Sequence, residues 1–186
     1  MSHQFAKRWF SVGDYYRMAE VGILTEDDRV ELIEGEVLEM SPIGSRHAAC
    51  VKRLNTLLNQ QVGHTAIVSV QDPIYIDDFS EPQPDVALLR PRADFYAEEH
   101  PTSSDVLLVI EVADTSVELD RNKKLPLYAR AGIPETVIVV LPEEMIEVHA
   151  EPVDGRYQRV RVLRRGDDLE SDTIPHLKLS IDAILG

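Results

Sequence analysis

Three charged side chains in the middle of the chain, Asp85, Glu111 and Lys124, are of the types needed for phosphate chemistry. Two carboxylates can hold a hard divalent cation such as Mg²⁺, and the cation can activate a water molecule beside a phosphate. A lysine ammonium can offset the negative charge that develops in the transition state. These residue types therefore point to metal-assisted hydrolysis as a candidate chemistry.

The two carboxylates lie at the ends of strand-like runs. Val106–Ile110 is apolar throughout and rich in β-branched residues, which predicts a strand buried on both faces. Glu111 follows this run directly, and Asp85 stands at the head of another. We therefore expect Glu111 close to the interior, where a carboxylate needs a partner, a hydrogen-bond network or a metal ion.

The lysine lies in a segment with helical periodicity, Leu119–Ala131. Asp120, Lys124 and Tyr128 are spaced four residues apart, so a helix would place them on one face. Pro126 lies inside the run, which requires that the helix starts shortly before it or kinks there.

In this order the residues resemble the PD-(D/E)XK nuclease superfamily and, more narrowly, its restriction endonuclease branch called Uma-two. The matching residues in the centre of the chain are Pro84-Asp85, Glu111-Val112-Ala113, Asp120 to Lys124, Tyr128, Gly132 and Pro134-Glu135. Upstream, the resemblance includes Arg29 to Gly35, Met40 to Pro42 and Arg46-His47. It therefore covers nearly the whole chain.

Two positions depart from the pattern. The superfamily motif has a lysine two residues after the glutamate, whereas this chain has Ala113. The resemblance implies that the lysine has moved to the following helix, where Lys124 fits the register better than Lys123. Relatives also commonly carry aromatic residues where this chain has Thr136-Val137.

The resemblance implies a DNA endonuclease that hydrolyses phosphodiester bonds with Mg²⁺, for which Mn²⁺ could substitute. Asp85 and Glu111 would be the metal ligands, and Lys124 would complete the catalytic set. Four accessory residues are implied: Glu31 and His47 beside the metal, Asp120 orienting the lysine, and Tyr128 in contact with it. From the residues alone, Glu31 could equally lie on an exposed strand face, and a lone histidine at the position of His47 is more often a surface or capping residue.

The fold expected is an α/β (α+β) fold with a restriction-endonuclease-like mixed central sheet flanked by helices, in one domain over residues 1–186. Other predicted elements are a helix capped by Ser11 and Asp14, a hairpin over Arg29–Met40 turning at Glu34-Gly35, a helix over Ser45–Val62, and strands at Ala66–Val70, Pro73–Ile76, Thr136–Leu141, Met145–His149 and Tyr157–Leu163. The β-rich C-terminal half, and the need of many nucleases for two sites to cut two strands, suggest a homodimer.

The net charge of −14 at pH 7 is an objection to DNA binding, because phosphates repel an acidic protein. Local basic clusters could offset it: Arg90 and Arg92; Arg121, Lys123, Lys124 and Arg130; and Arg156, Arg159, Arg161, Arg164 and Arg165. For the last cluster, the alternation of arginine with valine favours a solvated edge strand over a DNA contact.

Two alternatives from other functional classes fit the same residues. The acidic charge and Ala113 are compatible with a catalytically inactive binding or assembly module that keeps the nuclease fold. Asp85, Glu111 and Lys124 could also form a buried structural ion-pair network without a metal. No Gly-rich phosphate loop and no G-x-S-x-G elbow occurs, which argues against nucleotide hydrolysis and serine-hydrolase chemistry.

Composition bears on the compartment. The chain has 44% hydrophobic and 28% charged residues, and no segment approaches the roughly 20 apolar residues of a membrane span. Its one cysteine, Cys50, excludes an internal disulfide framework. The N-terminus lacks the apolar core of a signal peptide, so we expect a cytoplasmic protein.

Overall fold

A computed structural model of the chain describes residues 7–25 and 27–186. The strands are β1 Val30–Ile33, β2 Glu36–Glu39, β3 Ile67–Ser69, β4 Val86–Leu89, β5 Val106–Ala113, β6 Glu135–Val140, β7 Met145–Val153, β8 Arg156–Arg164, β9 Asp168–Glu170 and β10 Lys178–Ser180. The α-helices are α1 Val12–Glu20, α2 Ser45–Val62, α3 Val117–Leu119, α4 Leu125–Arg130 and α5 Ile181–Leu185, with a π-helical turn at Asp120–Lys124. None of the helices in these ranges is long and apolar enough to cross a bilayer.

A mixed six-stranded sheet in the order β3-β4-β5-β6-β7-β8 forms the centre of the fold. Strands β5 and β6 are parallel, and the other neighbouring pairs are antiparallel. The β5–β6 connection carries α3, the π turn and α4, as a parallel crossover requires. The predicted mixed α+β architecture is therefore confirmed.

Strand β5 continues past the predicted end of the apolar run. Its parallel pairing with β6 extends through Glu111, opposite Ile138, to Ala113, opposite Val140. Glu111 consequently lies inside the strand rather than directly after it. The ladder between β5 and β6 is made of backbone N–H and C=O groups, whatever side chain each residue carries. One carboxylate therefore does not end it.

Helix α2 covers one face of the sheet, and its bounds are those predicted from the sequence. Leu54 and Leu58 are fully buried in the main core cluster, together with residues of β4, β5 and α5. Arg53 donates hydrogen bonds to the carbonyl oxygens of Ile184 and Leu185, at 2.8 and 2.5 Å. These contacts hold the C-terminal helix against α2.

The N-terminal elements also follow the sequence. Ser11 caps α1 by accepting a hydrogen bond from the N–H of Asp14, whose carboxylate accepts one from the N–H of Ser11. Strands β1 and β2 form the expected hairpin, in which Glu34 and Gly35 both have positive φ.

The strand predicted over Pro73–Ile76 is wrong. The N–H of Ile74 donates to the carbonyl of Pro82, whereas that of Tyr75 donates to the carbonyl of Pro101. Among residues 73–76 only Tyr75 takes part in a bridge, an isolated one to Thr102, and Pro73 has no N–H to donate, so no continuous ladder forms.

Candidate active site

A cavity of about 310 Å³ opens where β1, β4, β5, α2 and the π turn meet. The sequence-predicted residues that line it are Glu31, His47, Asp85, Glu111, Asp120 and Lys124. Tyr128 lies behind the wall, fully buried. The fold thus brings together residues spread over nearly 100 positions of the chain.

Asp85 is held by three groups. Its Oδ2 atom lies 3.0 Å from Nε2 of His47 and accepts a hydrogen bond of 2.9 Å from the N–H of Val112. Its Oδ1 atom accepts a hydrogen bond of 3.2 Å from the side-chain amide of Gln71. Burial alone would raise the pKa of Asp85, but the hydrogen bond and charge of His47, with the bonds from Val112 and Gln71, hold it below its usual value.

His47 is a partner of the carboxylate rather than a surface or capping residue. It lies in the first turn of α2, and its side chain is 15% exposed. The hydrogen bond to Asp85 outweighs burial and raises the pKa of His47.

Glu111 is a deeply buried carboxylate of the cavity wall, at 3% exposure. Its Oε1 atom accepts a hydrogen bond of 2.6 Å from the hydroxyl of Tyr128 and lies 3.3 Å from Nζ of Lys124. Its Oε2 atom faces the N–H of Asp85 at 3.4 Å. Burial raises the pKa of Glu111 to about 8, despite the opposing effect of Lys124.

Lys124 is buried and contacts two carboxylates. Its Nζ atom lies 3.0 Å from Oε2 of Glu31 and 3.3 Å from Oε1 of Glu111. Burial alone would lower the pKa of Lys124, but Glu111, Glu31 and Asp120 outweigh it and raise the pKa, so the side chain is an ammonium. Glu31 is 2% exposed, so it lies inside the protein rather than on an exposed strand face.

The π-helical turn determines which lysine enters the cavity. Asp120–Lys124 adopts this wider turn, and a new α-helix begins at Leu125 with Pro126 in its first turn. The backbone stays helical across this junction, since Lys124 and Leu125 both have right-handed helical φ and ψ and the N–H of Leu125 bonds to the carbonyl of Asp120. Lys124 then points inward, whereas Lys123 points to Glu36 at 2.5 Å. The helix predicted over Leu119–Ala131 therefore contains a π bulge, a feature that is frequent at functional sites.

Asp120 lies at the start of this turn and is 3% exposed. Its carboxylate accepts a hydrogen bond of 2.6 Å from the hydroxyl of Ser116. Burial raises the pKa of Asp120, and Lys124 opposes the shift. The two charges therefore interact electrostatically, although in the described residues the direct partner of Asp120 is Ser116 and those of Lys124 are Glu31 and Glu111.

Sequence reasoning missed Gln71, Ser116 and Arg29 as parts of this site. Gln71 follows β3 with a positive φ of 58°, and the sequence carries no signal for its contact with Asp85. Arg29 lines the cavity and donates a hydrogen bond of 3.0 Å to the carbonyl of Ser41, with no ion pair to a carboxylate of the described residues. Its position in the segment that resembles the nuclease family is the one signal that could have indicated it.

The proposed structural ion-pair network of Asp85, Glu111 and Lys124 takes a different form. Lys124 pairs with Glu31 and Glu111, and Asp85 pairs with His47. Over residues 7–25 and 27–186, no three His, Cys, Asp or Glu side chains are grouped so that they could hold a metal ion by themselves. Any ion here would take further ligands from the backbone or from water.

Strand β8, which carries most of the third basic cluster, is an edge strand of the sheet, as the alternation of arginine with valine indicated. Arg159 pairs with Glu151 and Asp172, and Arg165 pairs with Glu144 and Asp182. The guanidinium groups of Arg159 and Arg165 are balanced by carboxylates of the same chain, which reduces the net positive charge of this cluster.

Comparison with known proteins finds a matching family and a solved structure of similar fold. A family model described as "Putative restriction endonuclease" (Uma2) matches residues 12–182. The fold is also similar to the crystal structure of a protein from Anabaena variabilis, described as "a putative nuclease belonging to DUF820". That protein is 15% identical in sequence, with a TM-score of 0.72 over 95% of this chain and 97% of the other. None of the curated proteins matches the chain.

Proposed function

The chain belongs to the Uma2 family of restriction-endonuclease-like proteins, and on that premise we propose that it is a metal-dependent endonuclease that hydrolyses phosphodiester bonds in DNA. The observation that carries the proposal is the convergence of Asp85, Glu111 and Lys124 on one cavity. Asp85 directly precedes β4, Glu111 lies in the neighbouring antiparallel strand β5, and the lysine comes from the crossover between β5 and β6. Their chemistry is that of phosphoryl transfer.

The donor set fits Mg²⁺. Asp85 and Glu111 offer oxygen ligands on neighbouring segments, where the N–H of Asp85 lies 3.4 Å from Oε2 of Glu111, and the carbonyl of Val112 is our candidate for a backbone ligand. Mg²⁺ prefers oxygen ligands and usually keeps several waters while binding one or two carboxylates, so a site without three grouped side chains is adequate. When bound, the ion would polarise the phosphate and acidify a water molecule. Mn²⁺ would serve in the same ligand set.

Lys124 supplies the positive charge beside the reacting phosphate. Its ammonium is held by Glu31 and Glu111, at 3.0 and 3.3 Å, so its position is fixed before substrate arrives. A preorganised charge in a site that excludes water costs no reorganisation during the reaction. Asp120 and Glu31 orient this lysine, and Tyr128 fixes Glu111 through its 2.6 Å hydrogen bond.

Arg29 binds a phosphate in this proposal. It lines the cavity, and its guanidinium has no ion-pair partner among the described carboxylates. A guanidinium offers a planar set of donors that suits phosphate oxygens. It would give the DNA backbone a local cationic contact on a protein whose net charge is −14.

The test is a cleavage assay on supercoiled and linear DNA, with Mg²⁺, Mn²⁺ or EDTA. We expect cleavage only with a divalent ion, and its loss in Asp85→Asn, which removes a ligand charge while keeping the shape. Asp154→Asn is the matched control, because Asp154 lies in the β7–β8 turn with a positive φ that asparagine also tolerates. Cleavage by Asp85→Asn at the wild-type rate would contradict the proposal.

A second candidate function is an inactive binding module with the nuclease fold. The net charge of −14 and the alanine at position 113 favour it. Such a module would cut no DNA under any metal or salt condition and would bind a protein partner instead. Absence of cleavage by the wild type, with the protein folded, would give this function precedence.

The single cysteine bears on the compartment that we propose. Cys50 is a buried free thiol on α2, so the fold uses no disulfide in the described residues. A reducing compartment such as the cytoplasm suits this chemistry.

A further inference from the structure

A second cavity, of about 580 Å³, has a chemistry unlike that of the candidate active site. Its walls come from α1, from the segment before β4 and from the loop between β4 and β5. Four aromatic rings and three carboxylates line it: Tyr16, Tyr75, Tyr96, His100, Glu81, Glu98 and Glu99. No lysine or arginine is among the described residues that line it. We call it the aromatic cavity.

Glu81 is the most informative group of the aromatic cavity. It is 4% exposed, and its Oε1 atom accepts a hydrogen bond of 2.6 Å from the hydroxyl of Tyr16. Within residues 7–25 and 27–186, no lysine, arginine or histidine forms an ion pair with it. A buried carboxylate whose partner is a neutral hydroxyl lacks the positive charge that burial of a negative charge normally requires. A cation in the cavity would supply that charge.

The aromatic rings favour an organic cation over a hydrated metal ion. The face of a tyrosine ring attracts ammonium and guanidinium groups, and apolar walls suit their alkyl chains. The chain already makes one such contact at this loop, where the guanidinium of Arg92 lies 4.7 Å from the ring centroid of Tyr96. Arg92 also pairs with Asp94 and Glu99. Ring faces and carboxylates therefore act together on a guanidinium beside this cavity.

The walls are held by contacts within the fold. Tyr75 is fixed by the hydrogen bond of 2.9 Å from its N–H to Pro101, and its hydroxyl donates to Asp78 at 2.6 Å. Tyr96 has a positive φ of 60° and donates from its hydroxyl to the carbonyl of Arg90 at 2.9 Å. A tyrosine in left-handed backbone geometry is strained, which indicates that the surrounding loop fixes its position.

We propose that the aromatic cavity binds an organic cation, an alkylammonium or guanidinium group, with its charge near Glu81 and its carbon atoms against Tyr16 and Tyr75. The group could belong to a free polyamine or to a basic side chain of a peptide. This inference is independent of nuclease activity, since no hydrogen bond or ion pair of the described residues joins its lining residues to Asp85, Glu111 or Lys124.

The experiment is isothermal titration calorimetry of the full chain at roughly physiological ionic strength, where diffuse attraction to an acidic protein is screened. The probes are spermidine, N-acetyl-arginine amide and N-acetyl-citrulline amide, the last being a neutral analogue of arginine of nearly the same shape. We expect saturable binding of at least one cationic probe and none of citrulline. Binding of spermidine alone would indicate a polyamine, and binding of the arginine amide would indicate a basic peptide.

Variants connect the binding to this cavity. Glu81→Gln should lower the affinity for the cationic probe by tenfold or more. Glu20→Gln, the same change at an exposed position of α1, should not alter that affinity. Tyr75→Leu keeps apolar bulk at the rim, removes one π face and should weaken binding severalfold even if Glu81→Gln fails to fold. Absence of binding by either cationic probe, equal binding of citrulline, or affinities unchanged in both cavity variants would overturn the proposal.

Discussion

The Nε2 atom of His47 lies 3.0 Å from Oδ2 of Asp85, so the cationic partner of this carboxylate is a histidine of α2 and not the lysine of the π turn. The pair accounts for the opposite directions of the two shifts, a raised pKa in His47 and a lowered pKa in Asp85. Lys124 pairs with Glu31 and Glu111 instead. The site therefore contains two separate charge pairings, and each can be tested by itself.

The pairing of His47 predicts a pH-dependent stability. Because its folded pKa is raised above the ordinary 6.5, its contribution is complete below about pH 6.5 and is lost as the pH rises through the folded pKa. In EDTA, His47→Gln should melt below the wild type at about pH 5.5, with a smaller difference at about pH 9. His64→Gln, at an exposed position, is the control for thermal melts followed by circular dichroism. A difference that grows with pH would contradict the pairing.

Glu111 predicts a pH dependence of the same sign, but its cause is burial of the carboxylate and not a charge partner. Its folded pKa of about 8 lies above the usual 4.5, so its contribution to stability is present below about pH 4.5 and is lost as the pH rises through about 8. Without metal, Glu111→Gln should match the wild type near pH 4.5 and melt at an equal or higher temperature near pH 9. Glu31 remains as partner of Lys124 in this variant. A large loss of melting temperature at pH 9 would instead identify Glu111 as an essential structural partner of the lysine.

Lys124 and Lys123 form an internal control for catalysis. Lys124→Met keeps the aliphatic length, removes the charge beside Glu111 and should lower DNA cleavage by roughly 10² or more, as loss of one transition-state stabiliser does. Metal binding, measured by calorimetry with Mn²⁺, should persist through Asp85 and Glu111. Lys123→Met should change cleavage little, because that side chain is paired with Glu36. Loss of cleavage in Lys123→Met alone would show that the register of the π turn is wrong by one residue.

Arg29 should contribute to DNA affinity through a phosphate. In an Asp85→Asn background, Arg29→Gln should weaken DNA binding uniformly across sequences and reduce the slope of log affinity against log salt by about one. Arg164→Gln, at an exposed position of β8, is the matched control. Fluorescence anisotropy over a series of salt concentrations measures the DNA affinity and its dependence on salt. Equal slopes in the Arg29 variant and its parent would contradict a contact between Arg29 and a phosphate.

Dimerisation through β8 remains a proposal. This edge strand exposes Val160 and Val162, each at 52%, and its outer backbone groups could pair with a second copy. Light scattering at micromolar concentration should give about twice the 21.0 kDa of one chain. Val160→Lys should reduce that mass, while Val21→Lys, at the exposed residue that follows α1, should not. A wild-type mass of one chain would contradict the proposal.

Much of the secondary structure was determined locally by the sequence. The capping box at Ser11, the turn at Glu34-Gly35 and the apolar stripe of α2 each depend on residues within a few positions of one another. The apolar run at Val106–Ile110 likewise predicted a buried central strand. Such signals are read from periodicity and from capping chemistry, so the helix and strand types were predictable where the spacing was regular.

The sequence also indicated Asp85, Glu111 and Lys124, but it did not determine their partners. The contact of His47 with Asp85 spans 38 positions, and that of Gln71 with Asp85 spans 14. Only the packing of α2 and β3 against the central strands decides these contacts, because no local period relates the residues. The same holds for Glu31, which a strand pattern alone could have placed in solvent but which the fold buries against Lys124. The π turn was likewise settled by tertiary structure, since burial of Asp120, Lys124 and Tyr128 around Glu111 stabilises a turn that helix periodicity does not predict.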